Sequence, residues 1–453
     1  MKKNSYISKP ILIVFLTLLI LTPGFYRNQW LAAGKQWFYD WRKIQEGMVI
    51  ARIVESRETG VLSHGGLLGF GCAATSNCDW ESFDLDQGYM IYRENGRFQS
   101  YSPYTSHPGL QGVIFSLFEL ATNFSPSLNL RLFHGAISLL SAFVLGLFIY
   151  WIFKELGAAA GSLTLMFIAL SEWMTLFSGN IFWNIWAFYL PLVISSLYLM
   201  NNSSPENYKH TMFSIMLVIA MYIKCLFTGF EYITTALVMS LMPFVFYAVR
   251  DSWKCSRFLM RSLHASLSLL TGVVAGLLTL IWQIIQVKEG FREAVTTILD
   301  AFGKRSIGDP TQYVSEADSL KAGLFPVLIQ YINGRAILLR QIIPIKDFSI
   351  EISYSALFLL FASLTVLLAT YIMRSNIFSA TRASSSAIII TTWISVLAPL
   401  SWFIIFKAHS YVHTQMNFII WQMPFTLYGF ALCGYTIGLF IDLVSIKKLP
   451  RSQ

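Results

Sequence analysis

Two aspartates in an acidic stretch are the residues best suited to chemistry in this sequence. Asp84 and Asp86 stand in FDLDQGYMIY, and Asp79 and Glu81 precede them, so that four carboxylates fall within eight residues. A carboxylate near a membrane surface can take the proton of an attacking hydroxyl or amide, or can orient that group by hydrogen bonds. An Asp-x-Asp pair can also hold a divalent metal against a diphosphate. The alternative is a solvated acidic loop.

Further ionisable residues lie beside or within long apolar stretches. Arg131 begins one such stretch, and Lys224 and Glu231 stand at the junction of two others. Charges at membrane depth cost several kcal/mol unless they are paired or hydrated, so their grouping near one leaflet predicts a functional cavity. A structural ion pair of Lys224 with Glu231 is the alternative. For His134 and Glu172, near the same face, the sequence favours a structural role.

A short polar segment near the end of the chain adds three more candidate residues. Lys407, His409 and His413 lie in FKAHSYVHTQMN, and the two histidines would share one face of a helix. Two histidines without a third ligand are more often hydrogen-bonding or anion-contacting groups than a metal site. Cationic groups at headgroup level would suit the phosphate of a lipid-linked ligand. No cofactor is predicted, although a divalent metal stays open.

The composition predicts that most of the chain lies in a lipid bilayer. Of 453 residues, 55% are hydrophobic and 13% are charged, where soluble domains carry about 25% charged residues. Lys and Arg number 33 against 24 Asp and Glu, a net charge of +9. Membrane topology explains this excess better than nucleic-acid binding, because the sequence has no basic helix with interleaved aromatic residues. The composition therefore excludes an ordinary soluble enzyme.

Ten apolar stretches are long enough to cross a bilayer, which takes about 20 residues each. The sequence thus predicts an all-α polytopic membrane protein whose residues 1–453 form one transmembrane domain. The first stretch could instead be a cleaved signal peptide, but no clear small-residue cleavage site follows it, so a retained anchor is favoured. The stretches are 9–26, 129–153, 157–177, 181–200, 210–227, 232–250, 262–287, 352–373, 387–406 and 416–443.

The positive charges of the short loops predict the orientation, because Lys and Arg resist translocation. With ten alternating spans, the Lys and Arg of the termini and short loops fall on one face, apart from Lys407, which places both termini in the cytoplasm. The two long polar segments, residues 27–128 and 288–351, then lie outside. We expect this chain in the cytoplasmic (inner) membrane of a bacterium.

The first exterior segment carries two further features. Trp37, Phe38, Trp41, Met48 and Val49 recur at roughly helical spacing, which predicts a helix that either lies in the headgroup layer or packs on the rest of the segment. The second feature is a pair of cysteines in CAATSNC. In an oxidising compartment Cys72 and Cys78 can form a local disulfide, with free thiols as the alternative.

The pattern resembles the GT-C superfamily of polytopic glycosyltransferases, which use polyprenyl-phosphate-linked sugars on the non-cytoplasmic face. An N-terminal span precedes a long exterior loop that contains FDLDQGYMIY and then YTSHPGLQG. The protein O-mannosyltransferase and aminoarabinose-transferase branches carry an acidic pair near an aromatic residue, followed by a His-Pro-Pro-Leu element. Here the acidic motif is DLD, and Gly109 replaces the second Pro after His107 and Pro108.

The resemblance implies transfer of a sugar from a polyprenyl-phosphate donor to a glycan, lipid or protein acceptor. Asp86, with Asp84 beside it, would be the catalytic carboxylate. A multi-pass transporter is the main alternative, but the sequence shows no internal 5+5 repeat and its ionisable residues cluster at one end. A non-catalytic lipid-binding membrane protein is the third interpretation. The resemblance and the charges together imply substrate-binding roles for His107, Arg131, Lys224, Glu231, Lys407, His409 and His413.

Overall fold

The computed structural model shows an almost entirely helical chain. It describes residues 8–72, 78, 85–204, 206–288, 290–308, 323–340, 349–374 and 379–448. The N-terminal half contains α1 (Ser8–Arg27), α2 (Lys35–Thr59), β1 (Gly69–Cys72), α3 (Leu85–Arg93), β2 (Ser100–Pro103), α4 (Leu110–Ala121), α5 (Pro126–Leu156), α6 (Ala158–Leu170), α7 (Glu172–Ser178), α8 (Ile185–Asn202) and α9 (His210–Thr228).

The C-terminal half continues the helical pattern and adds one short hairpin. It contains α10 (Ile233–Ser240), α11 (Met242–Arg250), α12 (Cys255–Ile285), α13 (Phe291–Ser306), α14 (Leu324–Asn333), β3 (Arg335–Arg340), β4 (Ser349–Ser353), α15 (Tyr354–Arg374), α16 (Ser379–Ile394), α17 (Leu397–Ile405), α18 (Lys407–Val412), α19 (Thr414–Asn417) and α20 (Phe425–Lys448). Short 3-10 turns occupy Ser63–Gly66 and Phe418–Gln422.

By length and composition, eight of the helical segments that the structure describes can cross a membrane, so the chain is a multi-pass helical protein. They coincide with eight of the ten predicted spans. They are Pro10–Arg27, Pro126–Leu156, His210–Thr228, Ile233–Arg250, Cys255–Ile285, Tyr354–Arg374, Ser379–Ile405 and Thr414–Asp442.

The other two predicted spans are helical but differ from simple crossings. The predicted span 157–177 is the pair α6 and α7, which meet at a bend of 71°. Such a bent pair is either a broken span or a re-entrant loop, and it raises the count to as many as nine. The predicted span 181–200 is α8, of 18 residues with Pro191 inside it. The total of ten spans stays a prediction.

The first polar segment forms a small layer at the ends of the apolar helices. α2 packs against α3, α4 and β1, and β1 pairs antiparallel with β2. Phe38, Trp41 and Val49 are buried, so the apolar stripe of α2 faces protein and not the headgroup layer. The structure joins Cys72 to Cys78 by a disulfide, as predicted.

Candidate active site

A cavity of about 1050 Å³ lies where the first polar segment meets the ends of two apolar helices. We call it the loop cavity. The end of α1, the first half of α2, α3 and the start of α5 form its wall. Its lining residues are Tyr26, Arg27, Tyr39, Arg42, Lys43, Glu46, Asp86, Tyr89, Met90, Arg93, Glu94, Ser127, Leu130, Arg131 and His134.

Cations outnumber carboxylates on this wall. Five Lys or Arg side chains and three Asp or Glu side chains line the loop cavity. Two of the cations, Arg27 and Arg131, stand at the helix ends where α1 and α5 meet the polar segment. A concave wall with excess positive charge concentrates anionic ligands. The cavity therefore suits a phosphate-bearing molecule better than a neutral one.

Asp86 lies in the first turn of α3, on the wall of the loop cavity. Its side chain is 78% exposed, and its Oδ1 lies 2.5 Å from Nζ of Lys43. The exposed carboxylate is thus accessible to a molecule in the cavity. Asp84, the other predicted catalytic residue, lies outside the described residues.

Glu46 is the buried carboxylate of the loop cavity, and the sequence analysis missed it. Its side chain is fully buried. The Tyr89 hydroxyl donates to Oε2 (2.7 Å), and the Ile181 backbone N–H donates to Oε1 (3.1 Å). His134 Nε2 lies 2.8 Å from Oε2. Three groups from distant parts of the chain therefore meet at one carboxylate.

The surroundings of Glu46 keep its carboxylate ionised. Burial alone would raise the pKa of Glu46, but the charges of His134 and Arg42 and the hydrogen bonds from His134 and Tyr89 outweigh burial and lower that pKa. Burial and the neighbouring Glu46 carboxylate raise the pKa of Tyr89 well above its ordinary value. Tyr89 is therefore a stable donor to Glu46.

Arg42 fixes α2 to the end of α1. Its guanidinium donates to the carbonyls of Phe25 (2.9 Å) and Tyr26 (3.0 Å) and lies over the Phe38 ring. Those carbonyls belong to the last turns of α1, where helix carbonyls have no partner within the helix. Arg42 thus holds the helix that carries Lys43 and Glu46.

Five of the remaining predicted residues form a second group, which we call the Glu231 cluster. Glu231 Oε1 accepts a hydrogen bond of 2.6 Å from Arg305 on α13, and Glu231 Oε2 lies 3.7 Å from His409 Nε2. The His409 and His413 rings are 4.8 Å apart. The cluster comprises His107, Lys224, Glu231, Arg305, His409 and His413.

Lys224 does not pair with the Glu231 carboxylate, the arrangement that stands as the alternative to a functional role. Its buried ammonium donates instead to the backbone carbonyls of Gly229 (2.9 Å) and Glu231 (2.6 Å) and lies over the Phe188 ring. The turn between α9 and α10 is built around this cation. Tyr232 in that turn has a positive φ of 50°.

His107 is buried beside the same turn and is neutral. Its Nδ1 accepts a hydrogen bond of 3.0 Å from the Gly109 N–H, and burial lowers the pKa of His107 to about 3. Gly109 has φ +72°, and a Cβ there would lie 2.7 Å from the Leu68 side chain. The glycine that follows the His-Pro pair is thus required by the backbone.

A buried segment after α7 touches both groups. The Ile181 N–H donates to Glu46, while the Phe182 ring lies 5.2 Å from the His107 ring. Gln111 on α4 also donates to the Phe182 carbonyl. The structure therefore places the predicted residues in two groups on either side of this segment. Asp86 and Arg131 line the loop cavity, and Lys407 is a half-buried residue at the start of α18.

No protein-family model, curated protein or solved structure matches this chain. The geometry of the molecule and its chemistry therefore carry the functional argument. Within the described ranges, no three His, Cys, Asp or Glu side chains are grouped as a metal would require. Since Asp84 lies outside those ranges, the alternative of a divalent metal at the Asp-x-Asp pair stays open.

Two charged residues that hold these sites together, Glu46 and Arg305, are absent from the sequence predictions. Glu46 stands in the helical stripe of α2, four residues after Arg42, and that spacing was a usable signal. Arg305 lies far along the chain from Glu231 and has no local signal. Arg335 pairs with the buried Glu172 at 2.7 Å, a contact that agrees with the structural role expected for Glu172.

Proposed function

We propose that this chain is a membrane glycosyltransferase that moves a sugar from a polyprenyl-phosphate-linked donor to an acceptor on the non-cytoplasmic face. The observation that supports it is the position of Asp86 and Arg131 on one wall of the loop cavity. A carboxylate able to engage an acceptor and a cation able to bind a phosphate thus border one space. Such proximity is what group transfer between two bound molecules requires.

Positive charge on the wall supports the choice of a phosphate leaving group. When the bond from the anomeric carbon to the donor phosphate breaks, negative charge grows on the phosphate oxygen. Fixed cations such as Arg131 and Lys43 stabilise that charge most in the transition state. Arg27 and Arg93 on the same wall extend the positive potential.

The outer face of α5 supports a lipid-linked donor. Leu128, Leu132 and Leu139 are 40%, 40% and 50% exposed, and Arg131 is exposed beside them. An exposed apolar face on a helix long enough to cross a membrane faces hydrocarbon. A polyprenyl chain can lie along these leucines while its phosphate reaches Arg131. The donor then need not leave the bilayer.

Each predicted residue has a place in this proposal. Asp86 orients the acceptor or takes its proton, and Asp84 assists it. Lys407 and the Glu231 cluster, which includes His107, Lys224, Glu231, His409 and His413, do not line the loop cavity, and in this proposal they bind the part of the acceptor remote from the bond that forms. Ten spans, cytoplasmic termini and a bacterial inner-membrane location complete the proposal, because they put both polar segments outside.

Binding of the bare lipid phosphate tests this function without knowledge of the sugar. The full chain in nanodiscs is titrated with undecaprenyl phosphate and followed by native mass spectrometry. We expect Arg131→Ala combined with Lys43→Ala to weaken binding at least tenfold. Arg257→Ala, which removes a half-buried cation on α12, is the matched control and should leave binding unchanged. Equal affinity in all three proteins would refute the lipid-phosphate site.

Transfer itself is tested with polyprenyl-phosphate sugars carrying a radiolabelled sugar. Asp86→Asn should abolish release of polyprenyl phosphate, while Asp300→Asn, an exposed carboxylate on α13, should not. Undecaprenyl phosphate binding that persists in Asp86→Asn would separate loss of catalysis from loss of binding. Binding with no transfer from any donor would favour a lipid-binding protein instead.

A further inference from the structure

Glu46 and His134 form a carboxylate–imidazole pair on the wall of the loop cavity. Both residues border the cavity, and the sequence assigned no chemistry to either. His134 lies near the start of α5, one turn after Arg131, the proposed phosphate ligand. The pair is therefore placed beside the position where the acceptor and donor would meet.

The hydrogen bonds fix which nitrogen of His134 carries the proton. An ionised carboxylate only accepts hydrogen bonds, so the Nε2 that faces Glu46 must carry a proton. In the neutral ring, Nδ1 is then the unprotonated nitrogen. Among the residues that the structure describes, Glu46 is the hydrogen-bond partner of the His134 ring, which leaves Nδ1 for a molecule in the cavity.

We propose that Glu46 and His134 act as a proton-accepting dyad, with His134 as the general base and Glu46 as its positioning residue. This inference rests on the proposed function for its donor and acceptor. The acceptor hydroxyl loses its proton to His134 Nδ1 as its oxygen bonds to the anomeric carbon. The bond from that carbon to the phosphate oxygen breaks, and its electron pair leaves with the phosphate. Glu46 stabilises the imidazolium that forms, the division of roles known from carboxylate–imidazole catalysis.

This assignment leaves orientation of the acceptor to Asp86. Its carboxylate is 78% exposed and paired with Lys43, whereas the Glu46 carboxylate is fully buried and held by three donors. A buried, fixed partner keeps a general base in one geometry at no cost during the reaction. The charged and titratable groups facing the dyad are Tyr26 and Arg27 on α1, Tyr39, Arg42 and Lys43 on α2, Asp86, Tyr89, Arg93 and Glu94 on α3, and Arg131 on α5.

Carbethoxylation by diethyl pyrocarbonate tests the dyad without any substrate. The reagent modifies unprotonated imidazole nitrogen, and peptide mass spectrometry reads each histidine of the full chain in nanodiscs. We expect His134, which borders the loop cavity, to react at least tenfold faster than His107 and His409, whose free ring nitrogens are buried and do not border it. Reaction of His134 as slow as that of His107 and His409 would overturn the proposal.

The pH dependence of the same reaction tests the role of Glu46. In Glu46→Gln the pH at half-maximal reactivity of His134 should fall by about 1 unit or more, because the imidazolium loses its carboxylate. Glu46→Asp keeps the charge and should largely restore that pH. Glu55 and His64, 3.1 Å apart, form another carboxylate–imidazole pair in the first polar segment, but they do not line the loop cavity. Glu55→Gln is therefore the control and should leave the pH dependence of His134 unchanged. An unchanged value in Glu46→Gln would overturn the dyad.

Undecaprenyl phosphate separates this inference from the proposed function. Protection of His134 by the lipid phosphate would place the dyad beside the donor. If Glu46→Gln shifts the pH dependence of His134 as expected but undecaprenyl phosphate does not protect His134, the donor proposal is refuted and the proton-accepting pair is retained. If undecaprenyl phosphate protects His134 but Glu46→Gln leaves its pH dependence unchanged, the donor site is retained and the dyad is refuted.

Discussion

Glu46 Oε2 lies 2.8 Å from His134 Nε2, although 88 residues separate the two in the chain. The contact joins α2, a helix of the polar segment, to α5, a helix long enough to cross the membrane. Ile181, which follows the bent pair α6 and α7, donates to the same carboxylate. One buried group thus fixes the polar segment, a span and the bent pair relative to one another.

Removal of this carboxylate should be strongly destabilising. Glu46→Ala leaves the Tyr89 hydroxyl, His134 Nε2 and the Ile181 N–H without their acceptor, a loss of about 3–5 kcal/mol for a broken buried charge pair. Thermal unfolding of the detergent-solubilised chain measures it. Glu55→Ala, which removes the more exposed pair with His64, should cost about 1 kcal/mol. Equal losses in the two variants would contradict the structural role of Glu46.

Acid should destabilise the fold through two groups with lowered pKa values. The ionised Glu46 contributes stability that is present above the ordinary carboxylate pKa and is lost as pH falls through its lowered folded pKa. Buried His107 has a folded pKa of about 3 against 6.5. Between pH 6.5 and pH 3, His107 binds a proton in the unfolded chain but not in the native chain. The free energy of unfolding therefore falls by about 1.4 kcal/mol for each unit by which the pH is lowered.

A His107→Gln variant isolates the contribution of His107 to this pH dependence. Its unfolding temperature should vary less between pH 6.5 and pH 4 than that of the native chain. Because glutamine does not titrate, any acid sensitivity left in that window comes from other groups. An identical pH profile in the two proteins would show that His107 titrates in the native state.

Sequence patterns were sufficient for the membrane helices and insufficient for the site. Eight of the ten predicted spans coincide with helices that can cross a membrane, because apolar runs of that length satisfy their backbone groups in lipid as helices. The apolar stripe of α2 predicted a helix but could not tell lipid from protein as its partner. Trp41 and Val49 are buried in the structure, so the apolar stripe of α2 packs against protein.

The partners of the charged site residues could not be predicted from the sequence. Lys224 and Glu231 are close in sequence, so a structural ion pair between them is the alternative to a functional role. In the structure the Glu231 carboxylate binds Arg305 on α13 and the Lys224 ammonium binds backbone carbonyls. Which of several cations reaches a carboxylate depends on how distant helices pack, and periodicity carries no information on that choice.

The ion pair of Arg305 with Glu231 should hold α13 on the helical bundle. Arg305→Ala leaves a largely buried carboxylate without its strongest partner and should cost about 3 kcal/mol or more. Glu231→Gln combined with Arg305→Ala should recover part of that loss. A double-mutant cycle on unfolding temperature measures the coupling, and additive losses would contradict a direct pair.

Backbone conformation should make Gly109 irreplaceable. Gly109→Ala places a Cβ at φ +72° and 2.7 Å from the Leu68 side chain, so strain and overpacking of about 1–3 kcal/mol follow. Gly303→Ala on α13 is the matched control, since no heavy atom lies within 4 Å of its added Cβ. That variant should be neutral or slightly stabilising. Equal unfolding temperatures for the two variants would contradict the left-handed conformation at Gly109.

Chemical labelling should reveal the orientation of the chain, on which the proposed function depends. Leu62 is 69% exposed in the first polar segment, and Cys255 is exposed at the start of α12. With both termini in the cytoplasm, Leu62→Cys reacts with a membrane-impermeant maleimide in intact cells. Cys255 then reacts only after the membrane is opened. In a Leu62→Cys, Cys255→Ser double variant, labelling in intact cells is assigned to position 62. In the parent chain, labelling after the membrane is opened is assigned to Cys255. The reverse pattern would put the loop cavity on the cytoplasmic side, where a donor confined to the opposite leaflet could not reach Asp86 or Arg131.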